Sequence, residues 1–128
     1  MKPRESVVRL KLFQVREKRR QITQLEMMIN EFEKMCSELE AQIHFEEQRS
    51  GVTDVNHFAY PTFARAARQR RGNLLTSISD LNVQKVNAEL ALREAELELE
   101  RARALEERDG KQLSDDEVIF FQSRSMIG

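Results

Sequence analysis

Apolar residues between Arg4 and Arg49 return at every seventh position: Val8, Val15, Ile22, Ile29, Cys36 and Ile43. A second row, Leu25, Phe32 and Leu39, falls three residues after members of the first, so the two rows are the a and d positions of a heptad. Lys11 and Lys18 take d positions near the start and weaken the seam there. Neither Pro nor Gly interrupts the stretch, which predicts one helix over 4–49. Residues 50–60 then carry turn chemistry. Gly51 suits the left-handed conformation that ends a helix, and Thr53, Asp54 and Asn56 are turn and cap formers. Pro61 fits the first turn of a second helix, predicted over 61–108. Its a row is Ala64, Arg71, Ile78, Lys85, Leu92 and Leu99, and its d row is Ala67, Leu74, Leu81, Ala88, Ala95 and Ala102. Gly72 inside it costs about 1 kcal/mol relative to Ala, and Gly110 is the expected stop.

So short a connection makes the helices antiparallel neighbours. The fold class expected is all-α, a long two-helix antiparallel coiled-coil hairpin over residues 1–110, each helix about 70 Å long. In such a pair a faces d, so the numbers of facing residues share one sum. The value 110 serves throughout, pairing 43 with 67, 36 with 74, 29 with 81, 15 with 95 and 8 with 102. Its midpoint, residue 55, falls in the turn that was located from turn residues alone. Charge agrees with this register. Residues 1–20 hold eight basic and two acidic side chains, and the facing stretch 89–107 holds seven acidic and three basic. Nearer the turn, Glu38, Glu40, Glu46 and Glu47 face Arg65, Arg68, Arg70 and Arg71. Lys11, Lys18, Arg71 and Lys85 oppose Leu99, Leu92, Leu39 and Leu25, so their stems are expected to cover leucine while the charges turn outward.

Composition narrows the function. The chain has 128 residues, 34% charged and 6% aromatic, with one cysteine and no tryptophan, which is the profile of long helices. No apolar run reaches the length of a membrane span, the N-terminus lacks the apolar core of a signal peptide, and a lone cysteine forms no internal disulfide. Phosphate-cradling glycine loops are missing. His44 and His57 have no companions at zinc-ligand spacing, and Cys36 at a core position is a small hydrophobe. These readings predict no enzyme, no metal and no cofactor, and, with a net charge of -1, no nucleic-acid partner.

Apolar residues outside the seam point to partners. Leu10 and Phe13 on the first helix, and Val83, Leu90 and Leu97 at f positions on the second, face outward. Phe45, Phe58, Tyr60 and Phe63 cluster at the turn, where Phe58 and Tyr60 are placed to close the end of the coil. Residues 111–128 break the heptad. Ser114 and Glu117 have capping-box spacing, so a short helix or a flexible tail is expected, with Val118, Ile119, Phe120 and Phe121 as an apolar patch for a partner, for packing back on the hairpin, or for neither.

Three segments then resemble one family: RLKLFQVREKRRQI (Arg9 to Ile22), DVNHFAYPTFARAARQR (Asp54 to Arg70) and ALEERDGK (Ala104 to Lys111). Together they resemble the flagellar type III export protein FliJ, over roughly residues 1–111, and the central segment is the distinctive one. The resemblance implies a cytoplasmic, non-enzymatic stalk like the γ subunit of rotary ATPases, peripheral to the membrane-embedded export apparatus. It implies entry of the terminal half into the export ATPase ring and contacts with the export-gate membrane protein and export chaperones, with no direct membrane insertion. Leu10, Phe13, Arg19, Arg20, Leu90 and Leu97 are then the expected ring contacts, and Phe45, Phe58, Tyr60 and Phe63 the expected gate contacts at the tip. Three other readings compete. One is a self-associating scaffold coiled coil that hides Val83, Leu90 and Leu97, and another is the equivalent stalk of an injectisome. A nucleic-acid module using the basic arm is a third, opposed by aromatics that do not interleave with the basic residues.

Overall fold

Residues 3–127 are described by a computed structural model, the backbone alone at Arg4 and over 112–127. Two helices, α1 (Pro3–Ser50) and α2 (Thr62–Ile127), pack against each other as an all-α hairpin. The chain divides into two units. One joins the residues up to Arg20 with those from Glu89 onward, and the other is Gln21–Ala88.

In the first unit, Val15, Ala95 and Leu99 form a buried cluster, with Val8, Leu12 and Leu92 packed against it. Val15 and Ala95 are partners in the sequence register, and Leu99 of α2 completes the buried cluster. Leu12 stands at an e position, outside both rows, yet it packs against the cluster. The Lys11 ammonium reaches across to Glu98 at 3.0 Å. Placing a lysine at d thus keeps its charge hydrated and paired while its stem covers the seam.

In the second unit, Leu39, Ile43 and Ala67 are buried together with Leu74 against them. Ile29, Cys36, Leu81 and Ala64 are also buried, all in the predicted rows. Lys85 meets Glu26 at 3.5 Å and Arg71 meets Glu40 at 4.0 Å. Both ion pairs, like Lys11–Glu98, lie within one residue of the predicted register.

The turn follows from three local causes. Gly51 takes φ +75°, and its N–H donates to the Glu47 carbonyl at 2.9 Å, which closes α1 with a left-handed cap. Asp54 accepts from the Asn56 N–H at 3.0 Å, and the His57 N–H donates to the Asp54 carbonyl at 3.1 Å. Pro61 precedes α2 and its carbonyl accepts the Arg65 N–H at 3.0 Å, the first bond of the helix.

One boundary departs from expectation. α2 does not stop at Gly110; it runs on to Ile127 and includes most of the segment expected as a tail or short helix. Glycine in a helix costs about 1 kcal/mol but does not forbid it. Glycine ends a helix where it takes a positive φ, and Gly51 alone has one among the described residues. The side chains of Val118 to Phe121 lie outside the described residues.

Candidate functional site

The two apolar surfaces expected from the sequence fall in different units. On the terminal unit, Leu10 and Phe13 of α1 and Leu90 and Leu97 of α2 are all exposed, Phe13 at 59%. Val7 is exposed as well and extends the α1 side. Each stands within a helix, so the backbone fixes the direction in which its side chain leaves the chain. A groove of about 480 Å³ on the same unit is lined by Phe13, Gln14, Glu17 and Lys18 of α1 and by Ala91, Glu94, Ala95 and Glu98 of α2. A second groove of about 210 Å³ lies between Val7, Lys11, Glu98, Arg101, Ala102 and Leu105. Alanines of α2 line both, Ala91 and Ala95 the first and Ala102 the second. Of the two arginines expected here, Arg20 is held by Glu17 at 2.6 Å, and Arg19 is exposed.

At the turn the four aromatics separate. Tyr60 is 4% exposed and closes the end of the seam. Its hydroxyl donates to Glu47 Oε1 at 2.9 Å and accepts from Arg68 Nε at 2.8 Å, while a second Arg68 nitrogen bridges to the same carboxylate oxygen at 3.0 Å. The Arg68 hydrogen bond, and then that of Tyr60, hold the Glu47 carboxyl below its ordinary pKa. The reciprocal bond to Glu47 raises that of Arg68. The Arg65 guanidinium sits 5.3 Å from the centre of the Tyr60 ring and donates to the Val55 carbonyl at 2.9 Å, so the loop is tied to α2.

Phe58 does not pack under the turn as expected. It is 95% exposed, and its ring stacks on His57, with centroids 4.7 Å apart. The cause is local. The Tyr60 N–H donates to the His57 carbonyl and the Ala59 N–H to His57 Nδ1, both at 3.0 Å, which turns residue 58 outward as 60 turns in. Phe45 and Phe63 are exposed too. The result is a hydrogen-bonded loop presenting apolar rings to water.

The ion pairing of this end was legible as charge, since Glu47 and Arg68 lie in facing stretches. The part of Tyr60 as their hub was not. Its one signal is the spacing of Arg65 and Arg68 after it, which sets both guanidinia over a ring at the helix start. Among the described residues no group of three or more His, Cys, Asp and Glu is placed to hold a metal ion, and no helix is long and apolar enough to cross a membrane. Cys36 is buried and free. No family model matches the chain, and no curated protein or solved structure matches it either.

Proposed function

We propose that the chain is a non-enzymatic stalk of the flagellar type III export apparatus. In this reading it binds the export ATPase ring through its terminal unit, promotes ring assembly, and reaches the export-gate membrane protein and export chaperones by way of the turn. It is cytoplasmic and peripheral to the membrane-embedded apparatus. The observation that carries the reading is Leu10, Phe13, Leu90 and Leu97 standing exposed on two helices whose shared seam is already filled. Apolar groups spaced along a charged helix pair are the mark of a surface made for protein contact. The likeness of Asp54 to Arg70 to FliJ supplies the identity of the partners, and the exposed Phe58, Phe45 and Phe63 supply anchors at the second surface.

The test is titration of the purified chain into the export ATPase of the same organism, following ring formation and ATP hydrolysis. Promotion of rings, lost with Leu90→Asp and Leu97→Asp, is the expected result. A helical, well-behaved sample that neither binds nor changes hydrolysis sinks the reading. Reversing Arg19 and Arg20 to Glu is expected to slow association at low salt, as charge steering requires.

A further inference from the structure

We propose that the turn contains a proton-controlled latch: His57 ties the loop together only while its ring is neutral, and a proton on Nδ1 frees the segment that presents Phe58. The latch is one contact. The Ala59 N–H donates to His57 Nδ1 at 3.0 Å. A ring nitrogen accepts only through its lone pair, so in this state Nδ1 is bare and the ring hydrogen sits on Nε2. The imidazolium carries a hydrogen on both nitrogens and accepts at neither. A proton on Nδ1 therefore sets one N–H against another, and the bond opens.

What the bond controls follows from its neighbours. The His57 N–H donates to the Asp54 carbonyl at 3.1 Å, and the Tyr60 N–H donates to the His57 carbonyl at 3.0 Å. Neither contact uses an atom that titrates, so both persist when the ring is charged. Tyr60 stays seated, held also by its hydroxyl between Glu47 and Arg68. Phe58 and Ala59, both exposed, lose the tether to the imidazole. The His57 ring also stacks on Phe58, with planes 23° apart. A charged ring gains from an aromatic face. Protonation thus exchanges the Ala59 amide for the Phe58 ring and lets the two rings move as a pair. The charged groups set around the loop are Asp54 within it, Arg65 of α2 on the Val55 carbonyl, and Glu47 of α1 paired with Arg68. Carboxylates and guanidinia keep their charge from about pH 5.5 to about pH 8, the range in which histidine changes its own. The inference goes beyond the export reading and does not depend on it.

The experiment is an NMR titration of the full chain alone from about pH 8 to about pH 5.5, with circular dichroism to confirm helix content. Amide exchange is corrected for its intrinsic dependence on pH, and the imidazole signals are followed alongside. The Ala59 amide is expected to show about a fivefold loss of protection, the worth of one hydrogen bond, along the curve traced by the His57 ring. The Gly51 amide, bonded to the Glu47 carbonyl, and the Asn56 amide, bonded to Asp54, are expected to keep theirs. His57→Phe keeps a ring beside Phe58 but has no acceptor, so its Ala59 amide is expected to be unprotected at every pH. His44→Gln removes the other histidine and is expected to leave the response intact. An Ala59 amide indifferent to the His57 titration overturns the proposal. So does a response that survives in His57→Phe or vanishes in His44→Gln. Because no partner protein is present, either failure leaves the export reading standing, and a chain that fails to stimulate rings leaves the latch standing.

Discussion

Gly51 and Gly72 lie in the same unit, yet alanine at the two positions should act in opposite directions. Gly51 has φ +75°, with nothing within 4 Å of the position a Cβ would occupy. Alanine there meets no neighbour, and its whole cost is the left-handed backbone, about 1 kcal/mol. Gly72 lies inside α2, also with open space around a built Cβ. Alanine there removes the entropic penalty of glycine without a clash and should stabilise by about 1 kcal/mol. The two variants therefore differ by about 2 kcal/mol, a factor of roughly 30 in the folding constant. Urea unfolding followed by far-UV circular dichroism reads this directly, because an unchanged slope with a shifted midpoint isolates stability. Gly51→Ala should lower the midpoint and Gly72→Ala should raise it. If Gly72→Ala destabilises, a helical backbone with open space at 72 is wrong, and the register built around it falls too.

Further outcomes follow from the turn. Tyr60→Phe removes the hydroxyl shared by Glu47 and Arg68 and should destabilise by about 1 kcal/mol in the same urea assay; an unchanged midpoint would mean that the buried hydroxyl contributes nothing. Because the folded Glu47 pKa is depressed, the stability it contributes is complete above the ordinary carboxylate value of 4.5 and is lost as pH falls through the lower folded value. Glu47→Gln should therefore flatten the acid limb of a stability-against-pH curve and leave its shape near neutrality unchanged. Phe58→Ser should leave the stability read by the urea assay within about 0.5 kcal/mol, since the ring is almost wholly exposed. The same change should weaken capture of the isolated export-gate cytoplasmic domain in a pull-down.

The sequence disclosed the seam because a heptad is a geometric statement: positions seven apart lie on one helical face wherever the chain is helical. Val15, Ile29, Cys36, Leu81 and Ala95 were readable as buried for that reason. Leu12 escaped because its packing depends on the residues opposite, which no single-helix pattern encodes. Gly110 misled because the residue type only permits a left-handed turn, while the flanking chain decides whether one forms. At the turn, charge complementarity was legible, but which aromatic turned inward depended on the bonds made by His57. Tyr60 has a hydroxyl that can be satisfied inside, and Phe58 gained nothing by replacing it.

The hairpin also fixes an order of assembly. Sequence separation between partners grows from 13 residues at Glu47–Tyr60, through 21 at Glu47–Arg68, to 87 at Lys11–Glu98. Closing the longest of these loops first would cost about 1.7 kcal/mol more chain entropy than closing the shortest. Once the turn has closed, each later layer adds only a small loop, so pairing zips from residue 55 outward. α1 is synthesised before α2, and its earliest residues wait longest for partners. Val8 and Val15 stay uncovered until Ala95 to Ala102 have been made. Amide exchange should mirror this history, with protection deepest beside Ile43 and Ala67 and shallowest near Val8. The segment that presents Leu10 and Phe13 to water is thus the last to be secured during folding and the first to open.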